Sequence, residues 1–227
     1  MAMETTMYDT LLQLPLFQGL CKEDFTSIIE RVKLHFQTYK QRDTIVEQGE
    51  TCSKLVFLLN GEVALKFVDT VHGYIFSETL KAPYIIEPYS LFGMSTCYTA
   101  SYQAHTDAQI LTIDKAYVFT ELNNYEIFRL NYLNILSNRI QIAHQKLWHN
   151  HIGTLNEKFN NFLLARSLTP QGEKMLQITM EDLAKLINET RINVSRMLNE
   201  RQKQGLLELR RKAIYIPDLE KLSESLI

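Results

Sequence analysis

The stretch Ile178–Ile216, ITMEDLAKLINETRINVSRMLNERQKQGLLELRRKAIYI, decides how this 227-residue chain is read. Thr179 and Asp182 have the spacing of a capping box, in which the hydroxyl accepts a backbone N–H at a helix start. Met180 to Ile187 then reads as a short helix with Leu183, Ala184 and Ile187 facing inward. Asn188 tolerates the left-handed backbone of a sharp turn. Thr190 caps a second helix, Arg191 to about Gln204, with Val194, Met197 and Leu198 inward. Small Ala184 lets the two helices cross closely, and Gly205 ends the second. Two short helices joined by such a turn form a helix-turn-helix. Leu206–Leu209 and Ala213–Ile216 alternate like a small hairpin whose tip is Arg210-Arg211-Lys212.

The outer side of the second helix offers Arg191, Asn193, Ser195 and Arg196. Arginine pairs bidentately with guanine, and asparagine with adenine, in the major groove of duplex DNA. Thr179, Thr190 and a helix N-terminus suit phosphate oxygens. Arg210, Arg211 and Lys212 on the wing suit the DNA backbone. From Lys185 to Lys212 the chain carries eight basic residues against Glu189, Glu200 and Glu208, although its net charge is −2. A basic island on an acidic body is the footprint of a phosphate-seeking surface. A solvated helix face would also account for the charge, so the case rests on the combination.

Upstream, the texture changes twice. Between about Tyr8 and Arg31, Phe25, Ile28, Ile29 and Val32 recur at helical spacing. From Lys33 to Asp114 the apolar runs are short, rich in Val, Ile, Phe, Tyr and Thr, and cut by Gly49, Pro83, Pro88 and Gly93. Asn60-Gly61 predicts a tight hairpin between Leu55–Leu59 and Val63–Phe67. His72-Gly73 predicts a second between Phe67–Val71 and Tyr74–Leu80. Such strands read as an antiparallel roll or barrel. Tyr117 to Trp148 contains no Gly or Pro. Its stripe of Ile127, Leu130, Leu133, Ile135, Leu136, Ile140, Ala143 and Leu147 predicts one long helix. That stripe needs a partner, either the chain's own core or the same helix of a second copy; the second is favoured, because a roll alone does not cover so long a helix. Another helix is expected from about Thr154 to Ser167, followed by a break from Leu168 to Gln177.

Cys21, Cys52 and Cys97 are few and far apart, which implies neither a disulfide framework nor a metal site and fits a reducing compartment. His144, His149 and His151 read as hinge or surface histidines rather than a metal site. The first residues lack the pattern of a signal peptide, and apolar runs such as Leu55–Leu59 are too short to span a bilayer. The expected location is cytoplasmic, without membrane association. No phosphate loop, zinc-binding His-Glu-x-x-His, nucleophile elbow or paired-cysteine motif is present, so no enzymatic activity is expected.

Taken together, these motifs resemble the family of the cyclic-AMP receptor protein and FNR, the Crp/Fnr transcription regulators. The winged helix-turn-helix carries the resemblance most specifically. PLFQGL at Pro15–Leu20, VEQGE, LLNGEV, LFG and AHTDAQILTID resemble successive landmarks of the family's N-terminal half. The resemblance implies an α+β chain in three parts. Residues 1–116 would be a cyclic-nucleotide-binding-type β-roll (a double-stranded β-helix), 117–150 a long dimerisation helix, and 151–227 a winged helix-turn-helix. It implies a homodimer on a near-palindromic double-stranded operator, a small-molecule effector sensed in the roll, and a contact with RNA polymerase. It aligns Arg191 with the family's guanine-reading arginine, Arg196 with its second base- or phosphate-contacting arginine, and Thr190 with its phosphate-contacting cap. The family's frequent glutamate after the first arginine is Ile192 here, which would touch a thymine methyl or only pack.

The roll departs from the family's ligand pattern. The family's FGE carboxylate falls on Met94, and no arginine occurs between Arg42 and Arg129 to grip a cyclic phosphate. Cyclic AMP is therefore not expected. Three scattered cysteines do not supply the four ligands of an iron–sulfur cluster. No cofactor is identified. Phe92, Gly93, Met94, Ser95, Tyr98 and Thr99 are candidate effector-pocket residues, equally explicable as roll core. The competing reading is a ligand-sensing protein–protein interaction module without DNA binding.

Overall fold

The structure, a computed structural model, describes residues 11–149 and 153–224. Tyr8 and His151 lie outside the described residues, as does the side chain of His149. The chain has two compact units, residues 1–64 with 80–139 and residues 65–79 with 140–227.

The first unit opens with α1 (Lys22–Arg31), capped by Cys21, whose Sγ accepts the Asp24 N–H. Phe25 and Ile28 of α1 are buried; Ile29, which shares their spacing, is 37% exposed and faces outward. Strands β1 (Leu34–Tyr39), β2 (Thr44–Val46) and β3 (Lys54–Asn60) follow. Then come β4 (Glu62–Asp69), β5 (Tyr74–Lys81), β6 (Tyr84–Ile86), β7 (Ser101–Ala104) and β8 (Ala108–Asp114). One sheet has the order β1-β8-β3-β6, all antiparallel, while β2 pairs with β7. Phe17, from PLFQGL, centres the core: its ring lies 6.0 Å from Phe25, 5.7 Å from Phe57 and 5.6 Å from Phe128.

The expected hairpin at Asn60-Gly61 is not one. β3 and β4 belong to different sheets, so the turn carries the chain around a corner of the roll. Only Gly61 takes a positive φ, at 90°, where a tight two-residue hairpin of the expected type needs two. A Cβ on Gly61 would lie 2.4 Å from the Asp107 carbonyl oxygen, so the corner also needs the missing side chain. The turn at Gly73 does join β4 to β5 as a hairpin.

The uninterrupted helix expected from Tyr117 is broken. α2 (Lys115–Thr120) is followed by a 3-10 turn at Leu122–Asn124, and α3 (Glu126–His149) begins only there. Absence of Gly and Pro permits a long helix but does not impose one. Here buried Leu122 holds the turn and Asn124 Nδ2 bonds the Thr120 carbonyl. On α3 the buried ring is Phe128, stacked on Tyr132, whose hydroxyl donates to the Pro88 carbonyl. Leu130, Leu133, Ile140 and Leu147 are exposed.

The second unit contains α4 (Leu155–Arg166), whose capping box joins Thr154 to Glu157. Lys174–Gln177, expected to be part of a break, is strand β9. It has neighbours on both sides, with β5 on one and the wing on the other, and that pairing decides its conformation where local propensity did not. The unit then runs α5 (Met180–Leu186), α6 (Arg191–Lys203), β10 (Glu208–Arg210), β11 (Ala213–Ile216) and α7 (Leu219–Glu224). Its sheet has the order β10-β11-β9-β5, with β4 beside β5. Residues 65–79, which the boundary at 116 leaves with the roll, thus group by compactness with the C-terminal residues. Phe76, Phe159, Leu163, Leu176, Val194 and Leu198 fill the shared core.

An ion pair fastens the hairpin in this core. The Lys174 ammonium lies 3.0 Å from Glu78 Oε2, with both side chains fully buried. Glu78 Oε1 accepts the Leu168 N–H, and Lys174 also donates to the carbonyl of Gln171. Among the described residues no helix is long and apolar enough to cross a membrane, and no group of His, Cys, Asp and Glu is arranged to hold a metal ion.

Candidate functional site

α5 and α6 are set by their caps. The Thr179 hydroxyl accepts the Asp182 N–H at 3.1 Å, and the Thr190 hydroxyl accepts the Asn193 N–H at 3.2 Å. Asn188 between them has φ 53°, the left-handed turn its side chain tolerates. Leu183, Ala184 and Ile187 are buried against Val194, Met197 and Leu198. One face of each helix is thereby fixed inward, so the other face of α6 is also fixed, outward.

That outer face carries Arg191, Ile192, Asn193 and Arg196, all exposed, with Ser195 half-buried. Among the described residues, Arg191 and Arg196 have neither a hydrogen bond nor an ion pair to hold them. Ile192 is 72% exposed, so it does not pack inward. Arg191, Ile192, Ser195, Arg196 and Asn199 wall one groove. A second, of about 450 Å³, runs between the wing and the starts of α5 and α6; Thr179, Arg191, Arg210 and Lys212 line it. The structure therefore brings together residues of the α5 cap, the start of α6 and the wing that lie far apart in sequence. Arg211 is exposed at the wing tip, beside Lys212, whose φ is 55°.

Three members of the basic island are otherwise engaged, the first being Lys185, paired with Glu181 one turn back at 3.1 Å. Arg201 is 4% exposed; its guanidinium bonds Asn156 Oδ1, Asn160 Oδ1 and the Leu222 carbonyl, and burial lowers its pKa. It serves the core and not the surface. Arg210 is paired with Glu208 at 2.9 Å and lies over the Tyr215 ring. Besides Glu208, a second acid is engaged: a hydrogen bond from Lys158 holds the Glu189 carboxyl below its usual range. Sequence spacing does not reveal the partners of Arg201 and Glu189, because they are remote in the chain, whereas Glu208 and Arg210 share strand β10.

In the roll, the candidate pocket residues separate. Gly93, Met94, Ser95 and Thr99 are exposed, Met94 entirely so, and Tyr98 is buried. Phe92 is half-buried, with its ring edge toward Tyr132 and the Lys115 ammonium 4.9 Å from its centroid. Burial pushes the phenol pKa of Tyr98 and Tyr102 far up, and that of Tyr89 to about 12.

The buried carboxylate of this segment is Glu87, which sequence reading passed over. It is 1% exposed. Its Oε1 accepts the Ala100 N–H at 3.0 Å and the Thr99 hydroxyl at 2.8 Å; its Oε2 accepts the Thr99 N–H at 2.7 Å and the Ser90 hydroxyl at 2.8 Å. The available signal was a carboxylate directly after the apolar run Tyr84-Ile85-Ile86. These residues do not fit a cyclic nucleotide. Two adjacent backbone N–H groups and two hydroxyls that could receive a phosphate already hold an anion, and no arginine accompanies them.

Residues 36–125 match the model of the cyclic nucleotide-binding domain, and residues 157–225 match that of the Crp-like helix-turn-helix domain. Among curated proteins, none matches the chain by sequence. Among solved structures, the catabolite activator protein of Thermus thermophilus is 22% identical, covers 94% of this chain and 100% of its own, and superposes with a TM-score of 0.54. CLP of Xanthomonas campestris, described as a c-di-GMP-responsive global regulator, is 19% identical over 86% of this chain and 97% of its own, with a TM-score of 0.50. At such identities the likeness speaks for the fold. With both domain models matched in this order along an α+β chain that contains the roll, the long helix and the winged helix-turn-helix, the chain belongs to the Crp/Fnr family.

Proposed function

We propose that this chain is a homodimeric, sequence-specific DNA-binding regulator of transcription, acting in the cytoplasm and without catalytic activity. The observation that carries the reading is the pair Arg191 and Arg196, on the outer face of a capped helix and without a hydrogen bond or ion pair among the described residues. α6 enters the major groove with Arg191 on a guanine, Arg196 on a base or phosphate, and Asn193 and Ser195 beside them. Exposed Ile192 lies against a thymine methyl. Thr190 and Thr179 approach phosphates at the helix starts, and Arg210, Arg211 and Lys212 follow the backbone from the wing.

The exposed Leu130, Leu133, Ile140 and Leu147 of α3 pair with the same helix of a second copy. A twofold dimer sets its recognition helices roughly 34 Å apart, so the operator is a near-palindrome. The roll senses a small-molecule signal that shifts this pairing, and RNA polymerase is the further partner.

Selection of duplexes from a randomised pool, followed by fluorescence anisotropy on the winner, tests the reading. The expected outcome is a near-palindromic consensus whose affinity falls steeply with salt. Failure to enrich any sequence, with at most weak and salt-insensitive binding, supports the protein–protein interaction module instead.

A further inference from the structure

We propose that Glu87 is a built-in anion of the roll: its carboxylate permanently fills the roll's oxyanion nest, so the roll takes no cyclic nucleotide or other phosphate there. This inference concerns the roll alone and stands or falls independently of DNA binding.

Four neutral donors converge on the carboxylate, from Ser90 on one side and Thr99 and Ala100 on the other. Consecutive backbone N–H groups that point into one concavity form an anion site. An ionised carboxylate satisfies four donors with its two oxygens and offers none in return, whereas a protonated carboxyl would offer one. The residue is held in place at some strain. Glu87 has φ 36° and ψ 57°, left-handed backbone that an L side chain rarely adopts. Such a conformation persists only where its surroundings over-determine it. Here the four bonds and full burial do so.

A cyclic nucleotide brings one phosphate anion into a roll of this family. To reach these donors it would have to expel Glu87 from burial. It would then find no arginine to replace the lost bonds, because none lies between Arg42 and Arg129. Left in place, the carboxylate repels a second anion at close range in a poorly hydrated setting.

The test uses the full chain and no DNA. Melting of the wild-type protein with cyclic AMP, cyclic GMP or inorganic phosphate at millimolar concentration is compared with chloride at equal ionic strength. No saturable rise in Tm is expected that survives Arg191→Ala/Arg196→Ala, which removes the exposed arginines of α6; one that survives with any of the three overturns the proposal. Glu87→Gly empties the nest and relieves the left-handed strain. Its Tm is expected to fall by on the order of 5 °C. Added acetate is then expected to raise it saturably, by more than it raises that of the wild type. A folded variant that ignores acetate overturns the nest. If Glu87→Gly does not fold, Glu87→Gln decides: its amide turns an N–H₂ toward two of the donors, so it must melt below the wild type. Equal melting temperatures would show that the charge is irrelevant and overturn the proposal.

Discussion

Around Glu87 in the roll, two N–H groups and two hydroxyls converge on one carboxylate of the same chain. Along α6, Arg191 and Arg196 hold their donors in solvent with no acceptor among the described residues. The same contrast recurs within the second unit, where Lys174 and Arg201 are buried and bonded while Arg211 and Lys212 are exposed at the wing. A donor satisfied from within serves stability. A donor left open is available to an outside partner, and its own desolvation has been deferred to the moment of binding. The roll is thus closed as an anion site, and the helix-turn-helix is open as one.

If this division is correct, substitutions on the closed side change melting, and substitutions on the open side change DNA affinity. The largest effect belongs to Lys174→Met. It leaves the Glu78 charge buried without its counter-ion, at a cost of about 3–5 kcal/mol. Calorimetry is expected to show a Tm lower by about 10 °C. An unchanged Tm would mean that the hairpin is not fastened by this pair. Next comes Arg191→Ala, expected to weaken the selected operator by about 1–3 kcal/mol in anisotropy titrations, to relax discrimination at one half-site position, and to leave Tm unchanged. Full retention of affinity and selectivity would remove α6 from its recognition role.

A smaller effect separates contact from mere exposure at Ile192. Replacing one operator thymine by deoxyuracil deletes a single methyl group. At the thymine under Ile192 this is expected to cost the wild type about fourfold in Kd, and Ile192→Ala almost nothing. If every thymine behaves alike in both proteins, Ile192 reads no methyl. The smallest is Lys212→Ala, expected to weaken all sequences alike and to reduce the salt slope by about one. A sequence-dependent loss would place Lys212 at a base edge instead of a phosphate.

Much of this was legible from order alone. The spacing of Thr179, Asn188, Thr190 and Gly205 encodes caps and turns, which depend on neighbours a few residues away; the helix-turn-helix therefore formed as read. The outward face of α6 was legible for the same reason, since helical periodicity assigns the inner face to Val194, Met197 and Leu198. Asn60-Gly61 and Lys174–Gln177 were not, because strand partners are chosen at long range: β3 turned a corner to another sheet, and β9 found β5 and the wing. Arg201 looked like part of the basic surface and is core, since its acceptors come from α4 and the Leu222 carbonyl.

By itself, then, the sequence determined the local devices and which side chains share a helix face, because hydrogen-bonded turns and 3.6-residue periodicity act over short separations. Only the tertiary structure decided which charges are spent internally. Glu87, Glu78, Lys174 and Arg201 acquire their partners through packing, and a charge removed from water must be paired or hydrogen-bonded wherever the fold delivers a partner.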